Sequence, residues 1–73
     1  MNATVECYAG AGYPERPRAL LMDGERFGVV QVEHRARTPR GVHFRVRLDD
    51  GRRFLLRYHE AQDAWRVREL GAR

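Results

Sequence analysis

Val42-His43-Phe44-Arg45-Val46-Arg47-Leu48-Asp49-Asp50-Gly51-Arg52-Arg53-Phe54-Leu55-Leu56-Arg57-Tyr58 alternates apolar and polar residues on either side of Asp49-Asp50-Gly51. This is the pattern of two half-buried strands joined by a turn. Facing residues of an antiparallel pair point to the same side of the sheet, so loop length can be tested against the alternation. A two-residue loop at Asp50-Gly51 would set Arg47 opposite Phe54 and mix the faces. A three-residue loop with Gly51 left-handed, as in a G1 bulge, pairs Leu48 with Arg52, Val46 with Phe54, Phe44 with Leu56 and Val42 with Tyr58. That register gathers His43, Arg45, Arg47, Arg53, Leu55 and Arg57 on the opposite face.

The same test extends in both directions. Downstream, a six-residue loop over 59–64 pairs Tyr58 with Trp65 and Leu56 with Val67, leaving Arg57 opposite Arg66 and Leu55 opposite Arg68. Upstream, a five-residue loop over 37–41 pairs Val30 with Leu48, Val32 with Val46 and His34 with Phe44, and turns Glu33 toward Arg45. Earlier still, Asp23-Gly24 reads as a two-residue hairpin turn that pairs Leu20 with Phe27. An extra residue near Gly28 is then needed for Phe27 and Val30 both to point inward. Strands are expected over 4–8, 18–22, 26–35, 42–48, 54–58 and 65–70, with an irregular Gly/Pro loop over 9–17. The expected core is Leu20, Phe27, Val30, Val32, Val42, Phe44, Val46, Phe54, Leu56, Tyr58, Trp65 and Val67. Five strands in a row leave one apolar face open, so the sheet must curl on itself or be covered by the first strand and loop. The expected fold is all-β with little or no helix: one small antiparallel, SH3-like barrel or roll of five to six strands in a meander, a single domain over 1–73.

Composition narrows the function classes. A chain of 73 residues leaves room for one thin core and none for an interdomain cleft. All fourteen basic residues are arginine, against ten acidic ones, for a net charge of +4. Lysine, isoleucine and serine are absent, which fits a GC-rich codon supply. Cys7 is the only cysteine, so no internal disulfide forms and a reducing cytoplasm is the expected location. The stretch 1–6 has neither the basic nor the apolar region of a leader, and the longest apolar run, 19–22, is far short of a membrane span, so a soluble protein with no membrane partner is expected.

Beyond these features, the run Pro17-Arg18-Ala19-Leu20-Leu21-Met22-Asp23-Gly24-Glu25-Arg26-Phe27-Gly28-Val29-Val30, followed by Phe44-Arg45-Val46-Arg47, Asp50-Gly51-Arg52-Arg53-Phe54 and Asp63-Ala64-Trp65, resembles a known family. This is the small uncharacterised all-β domain found alone or appended to ImuB-type relatives of the Y-family DNA polymerases in GC-rich bacteria. The resemblance covers 5–70. It implies a compact β domain in a bacterial setting with a loose association to DNA damage tolerance, and it brings no catalytic residues.

Chemistry-bearing residues are scattered. His34 is expected inside, held by a backbone partner, His43 outside and His59 in a loop, so they do not converge on a metal. Cys7 lies in an ordinary strand, where a small thiol packs well. Without serine there is no serine nucleophile, and neither Thr4 nor Thr38 has a base arranged beside it in sequence. Asp49-Asp50 is explained by the turn it precedes, and Gly10, Gly12, Gly24 and Gly28 open no helix that could cradle phosphate. A non-catalytic module without cofactor or metal is expected.

The basic face carries the functional content. Between Arg35 and Arg57 stand eight arginines against two aspartates, a local balance of +6. Arg57 opposite Arg66, and Arg53 near Arg68, are like-charge neighbours that destabilise a sheet, and an anionic partner would relieve them. Glu33 and Glu69 are the carboxylates expected to neutralise part of this charge. The candidate nucleic-acid-binding residues are Arg45, Arg47, Arg53, Arg57, Arg66 and Arg68, acting on the DNA or RNA backbone. With Phe44, Phe54, Tyr58 and Trp65 assigned to the core and only Tyr8 and Tyr13 left for stacking, phosphate contact is expected rather than base recognition. The alternative is a protein-interaction module that docks an acidic partner or pairs at an open sheet edge, homodimerisation included.

Overall fold

In the computed structural model, which describes residues 3–8 and 16–71, the alternation around Asp49-Asp50-Gly51 folds as a hairpin of β4 (Gly41–Leu48) and β5 (Arg53–His59). Val46 faces Phe54, Phe44 faces Leu56 and Val42 faces Tyr58, as the pattern requires. Gly51 takes the left-handed backbone (φ 92°) that a G1 bulge needs. The Leu48 amide donates to the Arg52 carbonyl at 2.8 Å and the Gly51 amide to the Leu48 carbonyl at 3.0 Å. Asp50 braces the turn by accepting from the Arg52 amide at 3.0 Å and from its Nε at 2.7 Å.

β6 (Ala64–Glu69) pairs with β5 in the expected register, Tyr58 with Trp65 and Leu56 with Val67. The connection is shorter than a six-residue loop because His59 and Ala64 already pair; a single 3₁₀ turn, Glu60–Gln62, and a left-handed Asp63 (φ 48°) join the strands. The Tyr58 hydroxyl donates to Asp63 Oδ1 at 2.6 Å and fixes that corner to the core. At the other end, β2 (Pro17–Met22) and β3 (Glu25–Thr38) meet through Asp23 and Gly24, both left-handed (φ 51° and 83°), with Leu20 opposite Phe27. β1 (Ala3–Cys7) pairs with β2. Most of the loop expected over 9–17 lies outside the described residues. Its last residue, Pro17, belongs to β2, and the Tyr8 amide donates to the Arg16 carbonyl at 3.0 Å to close its base.

β3 departs from the expected register. The β3–β4 turn contains only Pro39 and Arg40, not a five-residue loop, since Thr38 pairs with Gly41. Thr38 makes the short turn workable: its Oγ1 accepts from the amides of Arg40 and Gly41, each at 3.2 Å. Val32 still faces Val46, because the offset that a longer loop would have absorbed is taken up by an extra residue at Glu33 inside the strand. A second irregularity at Val30 sets Val29, rather than Val30, opposite Leu48. Val30 is therefore 57% exposed instead of in the core. His34 faces Arg45 in solvent, and Arg35 takes the place opposite Phe44. No bulge occurs at Gly28, which pairs regularly with Ala19, since with Val29 inward the alternation from Phe27 needs no extra residue.

The six strands form one antiparallel meander in the order β1-β2-β3-β4-β5-β6, curled into a nearly closed barrel. Its interior holds Leu20, Val42, Phe44, Val46, Phe54, Leu56 and Tyr58, as expected, together with Val5, Ala19, Met22 and Leu48. Phe27, Val32, Trp65 and Val67 pack on this centre while half-buried. Trp65 lies against Tyr58 with ring centroids 5.2 Å apart. Where β3 changes partner from β2 to β4, Gly28 and Asp49 exchange two bonds: the Gly28 amide donates to Asp49 Oδ2 at 3.1 Å, and the Asp49 amide to the Gly28 carbonyl at 2.9 Å. Among the described residues no helix is long and apolar enough to cross a membrane.

Phe54→Ala, in a fully buried site, is expected to destabilise the fold by about 3–5 kcal/mol, and Asp49→Ala, which loses one exposed bond at the partner switch, by about 1 kcal/mol. Urea unfolding of the two variants checks both values, and Asp49→Ala as damaging as Phe54→Ala would contradict the ranking. Gly41→Ala is expected to destabilise strongly, because its Cβ would overlap the Tyr58 carbonyl oxygen.

Candidate nucleic-acid interface

Side chains that alternate with the core residues of β4, β5 and β6 point outward, so the period that builds the barrel also lays out its outer face. Three rows cross the strands. His43, Arg57 and Arg66 form the first; Arg45, Leu55 and Arg68 the second; Arg47 and Arg53 the third. All six candidate arginines therefore share one surface. Arg47, Arg57, Arg66 and Arg68 are exposed, and among the described residues none of them pairs with a carboxylate. Arg57 directly opposes Arg66, and Arg47 opposes Arg53.

Arg45 and Arg53 have a different environment. The extra residue at Glu33 turns its carboxylate onto this face, where Oε1 accepts from Arg53 Nε at 3.0 Å and lies 3.4 Å from Arg45 Nε. Arg45 Nε is buried and makes no hydrogen bond. The side chains of Arg45 and Arg53 are 43% and 38% exposed, so they are half-covered rather than fully in solvent. The Arg53 hydrogen bond, with the charges of Arg53, Arg45 and Arg47 behind it, holds the Glu33 carboxyl below its ordinary pKa. Glu33 thus neutralises part of one end of the face and leaves the other end positive. The expected neighbourhood of Glu33 and Arg45 is present, through a bulge rather than a regular pair.

No Phe, Tyr or Trp belongs to these rows, whose one ring is the half-buried His43 imidazole. Phe44, Phe54 and Tyr58 are buried and Trp65 is half-buried on the inner side, while the exposed Tyr8 lies on the loop base beneath Arg18, whose guanidinium is 5.4 Å from its ring centroid. Tyr13 is outside the described residues. The only apolar side chain in the rows is Leu55. Three other arginines serve the barrel itself: Arg52 caps Phe27 at 4.8 Å, Arg35 covers Phe44 at 5.9 Å, and Arg26 pairs with Glu6 at 2.9 Å.

At one end the rows meet a corner that the sequence reading did not single out. The β3–β4 turn and the β5–β6 connection are tied together by the Glu60 amide donating to the Arg40 carbonyl at 2.9 Å. Two open clefts of about 640 and 330 Å³ abut there and share Pro39, Arg40 and His59; Arg66 lines the larger, and His43 and Arg57 the smaller. The signal that could have found it is the β4–β5 register, which sets Gly41 opposite His59 and so brings the basic turn residue Arg40 beside that histidine.

Elsewhere, burial pushes the half-buried Cys7 thiol above its ordinary pKa, away from the thiolate that a nucleophile requires. Among the described residues no three His, Cys, Asp or Glu side chains gather closely enough to hold a metal ion. Compared with known protein families, characterised proteins and solved structures, the chain has no match.

Because its folded pKa is depressed, Glu33 contributes stability that is fully present above the ordinary value of 4.5 and is lost as the pH falls through the lower folded value. The stability difference between the protein and Glu33→Gln should therefore be largest near neutrality and shrink as acid protonates the carboxyl. Urea midpoints at pH 7 and pH 3 test this, and a gap that widened in acid would contradict the assignment.

Proposed function

We propose that the protein is a non-catalytic module that binds nucleic-acid backbone through the outer face of β4, β5 and β6. The observation that carries this reading is the set of exposed arginines without carboxylate partners, Arg47, Arg57, Arg66 and Arg68, with Arg57 directly opposite Arg66. Like charges placed face to face weaken a sheet, and a polyanion across them turns that repulsion into binding. Arg45 and Arg53, already engaged by Glu33, are the weaker contributors.

The chemistry fits phosphate rather than base. Guanidinium groups bind phosphate oxygens bidentately, and rows whose one ring is a half-buried imidazole offer successive bases no stacking platform. Contacts of this kind give affinity and orientation without sequence information. The resemblance to the small β domain associated with ImuB-type polymerases points to a bacterial cytoplasmic setting in which DNA is the natural polyanion.

Titration of a labelled duplex at several salt concentrations tests the proposal. Four phosphate contacts predict that log affinity falls against log salt with a slope of about −3.6, and Arg47→Ala combined with Arg68→Ala should reduce the slope to about −1.8. Absence of binding at low salt, or binding indifferent to these substitutions, would overturn it in favour of an acidic protein partner.

A further inference from the structure

The outer face is not uniform along its length, and its positive end is also its concave end. Toward Arg47 and Arg53 the sheet is open and Glu33 supplies a built-in anion. Toward Arg57 and Arg66 Glu33 no longer reaches, and the surface runs into a wall made of the Pro39-Arg40 turn and the Glu60–Gln62 turn, joined by the Glu60 amide to Arg40 carbonyl bond. Arg40, Arg57 and Arg66 reach this corner from three separate segments, and His43 and His59 add two imidazoles. Among the described residues Glu60 is the one carboxylate lining it, and its Oε2 lies 3.7 Å from Arg37 Nη2.

We propose that this corner is a seat for the terminal phosphate of a nucleic-acid strand, a phosphomonoester rather than an internal phosphodiester. The proposal rests on the backbone-binding reading above and assigns one end of the same face a distinct ligand. An internal phosphate carries one charge, and its strand must both enter and leave. A phosphomonoester carries about −1.5 to −2 charges and three acceptor oxygens, and it stops where it binds. Two abutting clefts that share Arg40, one also lined by Arg66 and the other by Arg57, match the second. The open rows beyond, with one or two donors per position, match the first. A strand crossing the three rows would thus end with its last phosphate at the corner of Arg57, Arg66 and Arg40.

The test compares three versions of one labelled single-stranded oligonucleotide, bearing a 5′-phosphate, a 3′-phosphate or hydroxyls at both ends, by fluorescence anisotropy at low salt. One phosphorylated form should bind about tenfold tighter than the hydroxyl form, the gain of one added charge-assisted contact set. Arg57→Ala combined with Arg66→Ala should abolish that preference while leaving weaker, salt-sensitive binding through Arg47 and Arg68, whereas Arg47→Ala combined with Arg68→Ala should weaken all three forms and keep the preference. Thermal melting of the first double variant should show no loss of stability, because it removes a like-charge pair. Equal binding of the three forms overturns the terminal-phosphate seat and leaves the backbone reading standing. A preference that survives without Arg57 and Arg66 also overturns the seat. Absence of binding by every form overturns both.

Discussion

A single strand, β3, has to belong to both halves of the barrel, and the rest of the molecule follows from how it does so. It pairs with β2 as far as Gly28 and with β4 from Val29 onward. A strand that changes partner must bend, and bulges supply bend and twist at the expense of one unpaired residue each. The reciprocal Gly28–Asp49 bonds mark the changeover. Irregularities at Val30 and Glu33 then bring the strand into line with β4, so that Val29 and Val32 point inward opposite Leu48 and Val46.

The same adjustment sets the electrostatics of the outer surface. A regular β3 with the two-residue turn would place Val32 opposite Arg47 and turn the apolar pattern of β4 against it. The extra residue at Glu33 restores the interior match and, in the same stroke, delivers a carboxylate to Arg45 and Arg53. Packing in the core and charge on the exterior are thereby coupled through one residue. The uneven distribution of positive potential along the face is a by-product of barrel closure.

Much of this was legible in the residues because period-two alternation carries two readings at once. In β4, β5 and β6 one set of positions had to be core, so the arginines between them had to share the other face, and the Asp49-Asp50-Gly51 turn left a single consistent register. β3 resisted because Val30 and Val32 keep alternation under either of two arrangements: spare residues can sit in a long loop or be spent inside the strand. Nothing in the run 29–41 ranks those options until the Thr38 hydroxyl is seen to support the short turn. The basic corner was overlooked for another reason. The ladder sets Gly41 opposite His59, but Arg40 and Glu60 lie just past its end in two separate turns, and the bond between those turns closes the corner.

The exclusive use of arginine on this surface fixes what can modulate it. A guanidinium group keeps its proton at any pH a folded protein meets, and the acylations that discharge lysine have no acceptor here, since the chain contains no lysine. Arg45, Arg47, Arg53, Arg57, Arg66 and Arg68 therefore form a permanent charge, and Glu33, their carboxylate neighbour, is protonated only in acid. Under ordinary conditions the arginine field is tuned by the ions around the protein rather than by proton exchange or acylation at the arginines.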